Sequence, residues 1–229
     1  SGDDSVPASV TATVAPPASG SEAAPPSQPP LLTAFPAPED LLRSDAAAWR
    51  ELGPLWGLTL GAGDPCTQAL QNRLQCYSTQ RMTLTGLRQL DRPGVLSLQL
   101  PGQGPRRALV TAMTSEAVTL QAGDRRWLLP LTALADVWRG DYATLWRQPE
   151  GVQGRIGTGT QGQAGQWLDQ RLTELQAQGK LDVTASTFAT RLAAFQRSQG
   201  IEVDGKAGPV TFMQVNRVAG VDEPRLTAP

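Results

Sequence analysis

The sequence predicts an α+β domain followed by a small three-helix all-α domain. Three observations carry this. Between Cys76 and Trp146, short apolar runs alternate with turn residues, the pattern of antiparallel strands. Residues 151–165 hold six Gly among Gln and Thr, the composition of a linker. Beyond them, apolar residues recur at helical spacing in three separate segments.

Taken in order, residues 1–37 read as a disordered Pro/Ala/Ser-rich linker. The first thirty contain seven prolines and no base, and their only bulky apolar residues are Val6, Val10 and Val14. Such a segment buries too little surface to offset its ordering entropy. The α+β domain is expected over 38–150. A helix-like stretch from Pro38 to Leu52 carries Ala46, Trp49 and Leu52 and is closed by Gly53-Pro54. Asp64 is placed to cap a short helix whose first position is Pro65, where the missing N–H costs nothing. Val95–Leu100, Ala108–Met113, Ala117–Gln121 and Arg126–Pro130 read as strands, the last two joined by a turn at Ala122–Arg125. Leu131–Val137 reads as a helical turn and Tyr142–Trp146 as a final strand.

A Gly-rich linker is expected over 151–163 and the three-helix unit over 164–218. Trp167, Leu168, Leu172 and Leu175 mark one apolar face; Phe188, Leu192 and Phe195 mark a second. Gly208-Pro209 opens a third helix with Phe212 and Val215 inward. Residues 219–229 read as a tail.

Composition excludes several functions. With 20 basic and 21 acidic residues in 229, the net charge is −1, so no basic field favours nucleic acid. No apolar run reaches the roughly 18 residues of a spanning helix. There is no His, so no Ser-His or Cys-His pair can form. No cofactor or metal is expected.

Two groups of residues carry resemblances. The run Phe195-Gln196-x-x-Gln199-Gly200-Ile201-x-Val203-Asp204-Gly205-x-x-Gly208-x-x-Thr211 resembles peptidoglycan-binding domains of the three-helix type. Asp204-Gly205 suits a tight turn and Thr211 can bond back into the loop, so each residue also has a purely structural reading. The resemblance implies a groove for cell-wall stem peptide and glycan beside this loop. Arg191, Gln196, Asp204, Gly205, Lys206, Thr211, Asn216 and Arg217 are its candidate ligands.

Leu55-Trp56-Gly57, Gly63-Asp64-Pro65-Cys66, Leu74-Gln75-Cys76, Leu87 to Leu96 and Trp138 to Trp146 together resemble the C39-peptidase-like domain, a papain-like α+β fold. The resemblance places a nucleophile position at Cys66. It places the base on the strand Arg107–Val110, where Ala108 stands. Without an imidazole, the expectation is a dead peptidase fold with no catalytic residue. For Cys66 and Cys76 two readings stay open, a disulfide and two separate thiols. A disulfide would contribute about 2.8 kcal/mol from loop entropy and would need the oxidising compartment that a cell-wall ligand implies.

The two modules in this order resemble the periplasmic region of the GspA/ExeA family of type II secretion. That resemblance implies a periplasmic piece of an inner-membrane-anchored protein, with membrane contact only through an upstream segment, and with the family's ATPase module lying outside this chain. It implies peptidoglycan and a GspB/ExeB-type protein as partners, self-association, and an indirect role in assembling the secretin. The alternatives are a cell-wall hydrolase or cysteine peptidase, for instance through Asp136 and Asp141, and a protein-only scaffold.

Overall fold

A computed structural model describes residues 2, 13–16, 27–182 and 184–227. The expected linker over residues 1–37 falls mostly outside them. Seven strands form one sheet among the described residues: β1 (Leu31–Leu32), β2 (Leu74–Thr79), β3 (Gly94–Leu98), β4 (Arg106–Met113), β5 (Ala117–Ala122), β6 (Arg125–Pro130) and β7 (Trp138–Arg147). Their order is β1-β6-β5-β4-β3-β7-β2, and every pairing is antiparallel except β1 with β6. Helices α1 (Asp45–Leu52) and α2 (Pro65–Gln71) cover one face. The other carries α3 (Leu84–Leu90), α4 (Leu131–Val137) and the three later helices, α5 (Gly162–Ala177), α6 (Phe188–Ser198) and α7 (Pro209–Val218).

Period-two alternation assigns each strand residue to one of two cores. Leu109 and Leu145 join Ala48, Leu52, Trp56 and Ala69 under α1 and α2. Ala108, Val110 and Trp146 join Leu168, Leu172, Phe195 and Phe212 on the opposite side. That second core crosses from the sheet into the three-helix unit. Phe212 stacks between Trp146 and Trp167, with both ring centroids 5.9 Å away. Such pairs add to the area they bury.

The structure corrects five sequence expectations. Leu31 and Leu32, assigned to the linker, pair in parallel with Arg126 and Trp127 as an edge strand. The Pro38–Leu52 stretch is not one helix. A 3-10 turn over Pro38–Asp40 is followed by Leu42 bridging to Arg107, and α1 starts only where Ser44 Oγ accepts the Ala47 N–H. Helix α3 lies inside the region read as strands; Thr83 caps it and Asp91 ends it at φ 53°. The 151–163 segment is a packed connector, because its two apolar residues, Val152 and Ile156, are buried. Gln75 also clamps it, donating to Gly154 O and accepting the Ile156 N–H. The tail is likewise fixed, with Leu226 3% exposed in the core that crosses the seam.

The remaining elements follow local chemistry. Asp64 Oδ2 accepts the Thr67 N–H at 2.8 Å and Pro65 opens α2, as the capping rule requires. Gly123, at φ 59°, makes the β5–β6 turn that a side chain would strain.

Candidate functional site

Cys66 stands in the first turn of α2 and Cys76 on β2, and the two are joined in a disulfide with Cα atoms 5.6 Å apart. The disulfide lines a cavity of about 720 Å³ between α1, α2 and the sheet, together with Trp49, Ser78, Arg81, Val95, Ser97, Asp141 and Arg155. The strands that line this cleft with Cys66 are β2, β3 through Val95 and Ser97, and β7 through Asp141 and Ala143. Ala108, the expected base position, is fully buried in the core on the opposite face. A disulfide sulfur is not a thiolate, and no side chain at this cleft is an imidazole. Tyr142 lines the cleft but is no base. Burial pushes its phenol far above the ordinary value, and its hydroxyl donates to Arg92 O at 2.8 Å. Of the acid pair considered from sequence, Asp141 reaches the cleft, while Asp136 lies exposed on α4 and is not among its lining residues. Asp45, also at the cleft, is held by Arg107.

The eight candidate ligand residues of the helical unit separate into two groups. Gln196, Thr211 and Asn216 are 1%, 1% and 2% exposed. Gln196 Nε2 donates to Lys206 O at 2.7 Å and to Thr211 Oγ1 at 3.3 Å, which fixes the α6–α7 loop from inside. Asn216 Nδ2 donates to Arg147 O at 3.0 Å, across the seam to β7. These three are corrected to structural roles, because all are buried and the bonds donated by Gln196 and Asn216 run inward. Arg217 is also turned to the seam, 3.4 Å from Asp91, and Arg191 ties α6 to α5 through Asp169 at 2.8 Å. Asp204, Gly205 and Lys206 are exposed. Asp204 Oδ1 accepts the Lys206 N–H at 2.9 Å and Gly205 sits at φ 74°, so the turn is built as its sequence suggests.

Residues 40–148 match the family described as the GspA peptidase C39-like domain. General secretion pathway protein A of Aeromonas hydrophila is 30% identical over 183 residues, covering 79% of this chain and 33% of the relative. A solved periplasmic domain of the EpsAB fusion protein of the Vibrio vulnificus type II secretion system superposes at TM-score 0.51. Its identity is 26%, with 81% of this chain and 83% of that one covered. Residues 40–148 of the chain thus form a GspA C39-like domain. The putative general secretion pathway protein A of Escherichia coli K12 is 27% identical over 185 residues, covering 77% of this chain and 36% of the relative. The chain thus spans about a third of the length of the curated relatives it matches.

In this chain the seam between the C39-like domain and the helices carries a polar cluster that sequence reasoning missed. Arg92, 2% exposed, forks onto Glu223 at 3.0 and 3.1 Å and donates to Leu145 O and Met213 O. Asp91 Oδ1 accepts from the Leu226 and Thr227 N–H groups and from Thr227 Oγ1, and its Oδ2 faces Arg217 and Arg225. Burial alone would raise the Asp91 carboxyl. The Thr227 bonds, the Arg217 charge and the Leu226 bond outweigh it and hold the group below the usual range. The signal for the seam was the adjacent Asp91-Arg92 before Pro93-Gly94, but its partners, Leu145 apart, lie more than a hundred residues away.

Proposed function

We propose that this chain is a non-catalytic periplasmic module of a type II secretion GspA protein, which binds peptidoglycan and multimerises to help the secretin assemble. The α6–α7 loop carries this reading. Gln196 and Thr211 hold it from inside, so Val203, Asp204, Gly205 and Lys206 meet solvent on one turn. Those exposed groups supply an ammonium, a carboxylate and open backbone to a polymer rich in amides, hydroxyls and carboxylates. Many weak anchors along one polymer raise local concentration and favour assembly by avidity.

The non-catalytic part is supported by the disulfide at the nucleophile position in a chain without His. The periplasmic part is supported by that disulfide, which persists in oxidising compartments, and by the likeness to the EpsAB periplasmic domain. A GspB/ExeB-type protein is assigned to the C39-like domain.

Sedimentation with purified sacculi tests the reading. The chain is expected in the pellet, with less of it there as salt rises. A Val203→Ser, Lys206→Glu variant is expected to shift toward the supernatant with unchanged melting temperature. A chain that stays in the supernatant at every salt concentration ends the reading.

A further inference from the structure

The sheet has one edge that is covered only in part. β2 pairs with β7 alone, from Leu74↔Arg147 to Thr79↔Tyr142. The Gln148 N–H bonds to Arg73 O, which sets the phase of this ladder. In an antiparallel pair bonded and non-bonded positions alternate. Gln75, Tyr77 and Thr79 therefore bond to β7, and Leu74, Cys76 and Ser78 turn their N–H and C=O groups outward. Near Gln75 the 151–163 connector covers the edge, through the bonds to Gly154 and Ile156. From Cys76 to Ser78 no backbone partner lies on that side among the described residues.

A cavity opens on each face of the sheet at this same stretch. One is the cleft with the disulfide, where Trp49 and Ser97 meet Arg81 and Arg155. The other, about 190 Å³, is bounded by Tyr77, Met82, Leu90, Ile201 and Val210 between α3 and the α6–α7 loop. Both reach Thr79 and Arg81. Their chemistry differs. The first holds two arginines with no ion pair among the described residues; of its lining acids Asp45 is taken by Arg107 and Asp141 remains, with Asp64 acting on Arg155 from beside the cleft. The second sets the apolar side chains of Met82, Leu90, Ile201 and Val210 among Gln89, Gln199 and Gln214, with Arg81 the one charged residue of its lining.

We propose that the Cys76–Ser78 edge of β2 is a docking strand for an extended segment of a partner protein, one that alternates acidic and apolar side chains. An added strand satisfies the outward backbone groups and sends successive side chains to opposite faces. Acidic residues then enter the arginine-flanked cleft and apolar ones the opposite cavity. The free base in the cleft selects this occupant, since a run of uniform polarity would leave one cavity unmatched. The inference rests on the C39-like domain being the protein-binding part of the module, and it locates that activity.

The test uses the whole chain and a short labelled peptide alternating Glu with Val, read by fluorescence anisotropy and amide exchange. Binding is expected, with slowed exchange at the Cys76 and Ser78 amides. Ser78→Pro removes an outward N–H while leaving the β7 ladder intact, as edge positions allow, and is expected to weaken binding about tenfold. Ser78→Ala is expected to bind like the parent. Should Ser78→Pro fold poorly, peptides carry the test instead. N-methylation on one alternate set of residues abolishes binding, and on the other set leaves it in place. Absence of binding, equal loss with either methylated set, or unchanged exchange at Cys76 and Ser78 overturns the inference. So does a Ser78→Pro variant that loses only self-association, because the occupant would then be a second copy. Sacculus pelleting is expected to be unaffected by Ser78→Pro, so failure of wall binding and failure of this edge register separately.

Discussion

The disulfide cleft and the α6–α7 loop treat their polar residues in opposite ways. At the cleft, Ser78, Arg81, Asp141 and Arg155 face a cavity of about 720 Å³. At the loop, Gln196, Thr211 and Asn216 face inward, and the surface is left to Asp204, Gly205 and Lys206. Residue type did not separate the two. A buried amide that completes a turn and an exposed amide that meets a ligand look alike in sequence. What separates them is where their hydrogen bonds go, and that is fixed by packing.

The contrast breaks most severely if the seam that orders the loop's helices is opened. Glu223→Ala strips the partner from Arg92, which is 2% exposed, and leaves its charge buried. Removing one member of such a pair costs about 3–5 kcal/mol. Thermal unfolding is expected to show that loss, with faster amide exchange over residues 222–227. A loss under about 1 kcal/mol would mean that the tail does not hold the seam.

The next largest effect belongs to the cleft. Cys66→Ser with Cys76→Ser is expected to cost about 2.8 kcal/mol from loop entropy in urea unfolding. No hydrolysis of a fluorogenic peptide is expected with the thiols oxidised or reduced. Peptidase activity that appears on reduction and vanishes in the Cys66→Ser single variant would end the non-catalytic reading.

Local signals read well from sequence where chemistry is local. The Asp64 cap, Pro65, the Gly123 turn, the strand runs and Leu131–Val137 all depend on neighbours within a few residues. The misses share one cause, partners far along the chain. Leu31-Leu32 becomes a strand only because β6 offers an edge. The 151–163 segment has linker composition, yet Gln75 and the burial of Ile156 fix it. Helix α3 escaped because Asp91 stops it in the left-handed region, where Gly is the usual marker. Ala108 was placed beside Cys66 by resemblance, but the strand's period of two turns it to the other face. Of the site, the cysteines and the Asp204-Gly205 turn were legible. The inward orientation of Gln196 and Asn216 was not.

A smaller effect sharpens the contrast at the loop. Gln196→Ala removes bonds to Lys206 O and Thr211 Oγ1 and is expected to cost about 1–2 kcal/mol. Well below the melting point, wall binding by this variant is expected to match the parent, because the amide never faces the polymer. A variant of full stability that no longer pellets would return Gln196 to the ligand set.

The smallest effect is a pH response confined to the seam. The Asp91 carboxyl is held below its ordinary value, which in an unfolded chain is about 3.9. A depressed folded pKa contributes stability that is complete above the unfolded value. That contribution is lost as pH falls through the folded one. Acidification from about pH 5 to about pH 3 should therefore loosen what Asp91 holds, the Leu226 and Thr227 amides. Amide exchange at these two positions is the readout. In Asp91→Asn the bonds to Arg217 and Arg225 lose their charge at every pH. Exchange there should already be faster at neutral pH and change less on acidification. Asp64, a helix cap, and Asp182, in a turn, are also held low, by Thr67 and Thr184, but both are exposed and common to parent and variant, so they cancel in the comparison. An equal acid response in parent and variant would take the sensitivity away from Asp91, and would leave it as a hydrogen-bond acceptor whose charge the seam does not need.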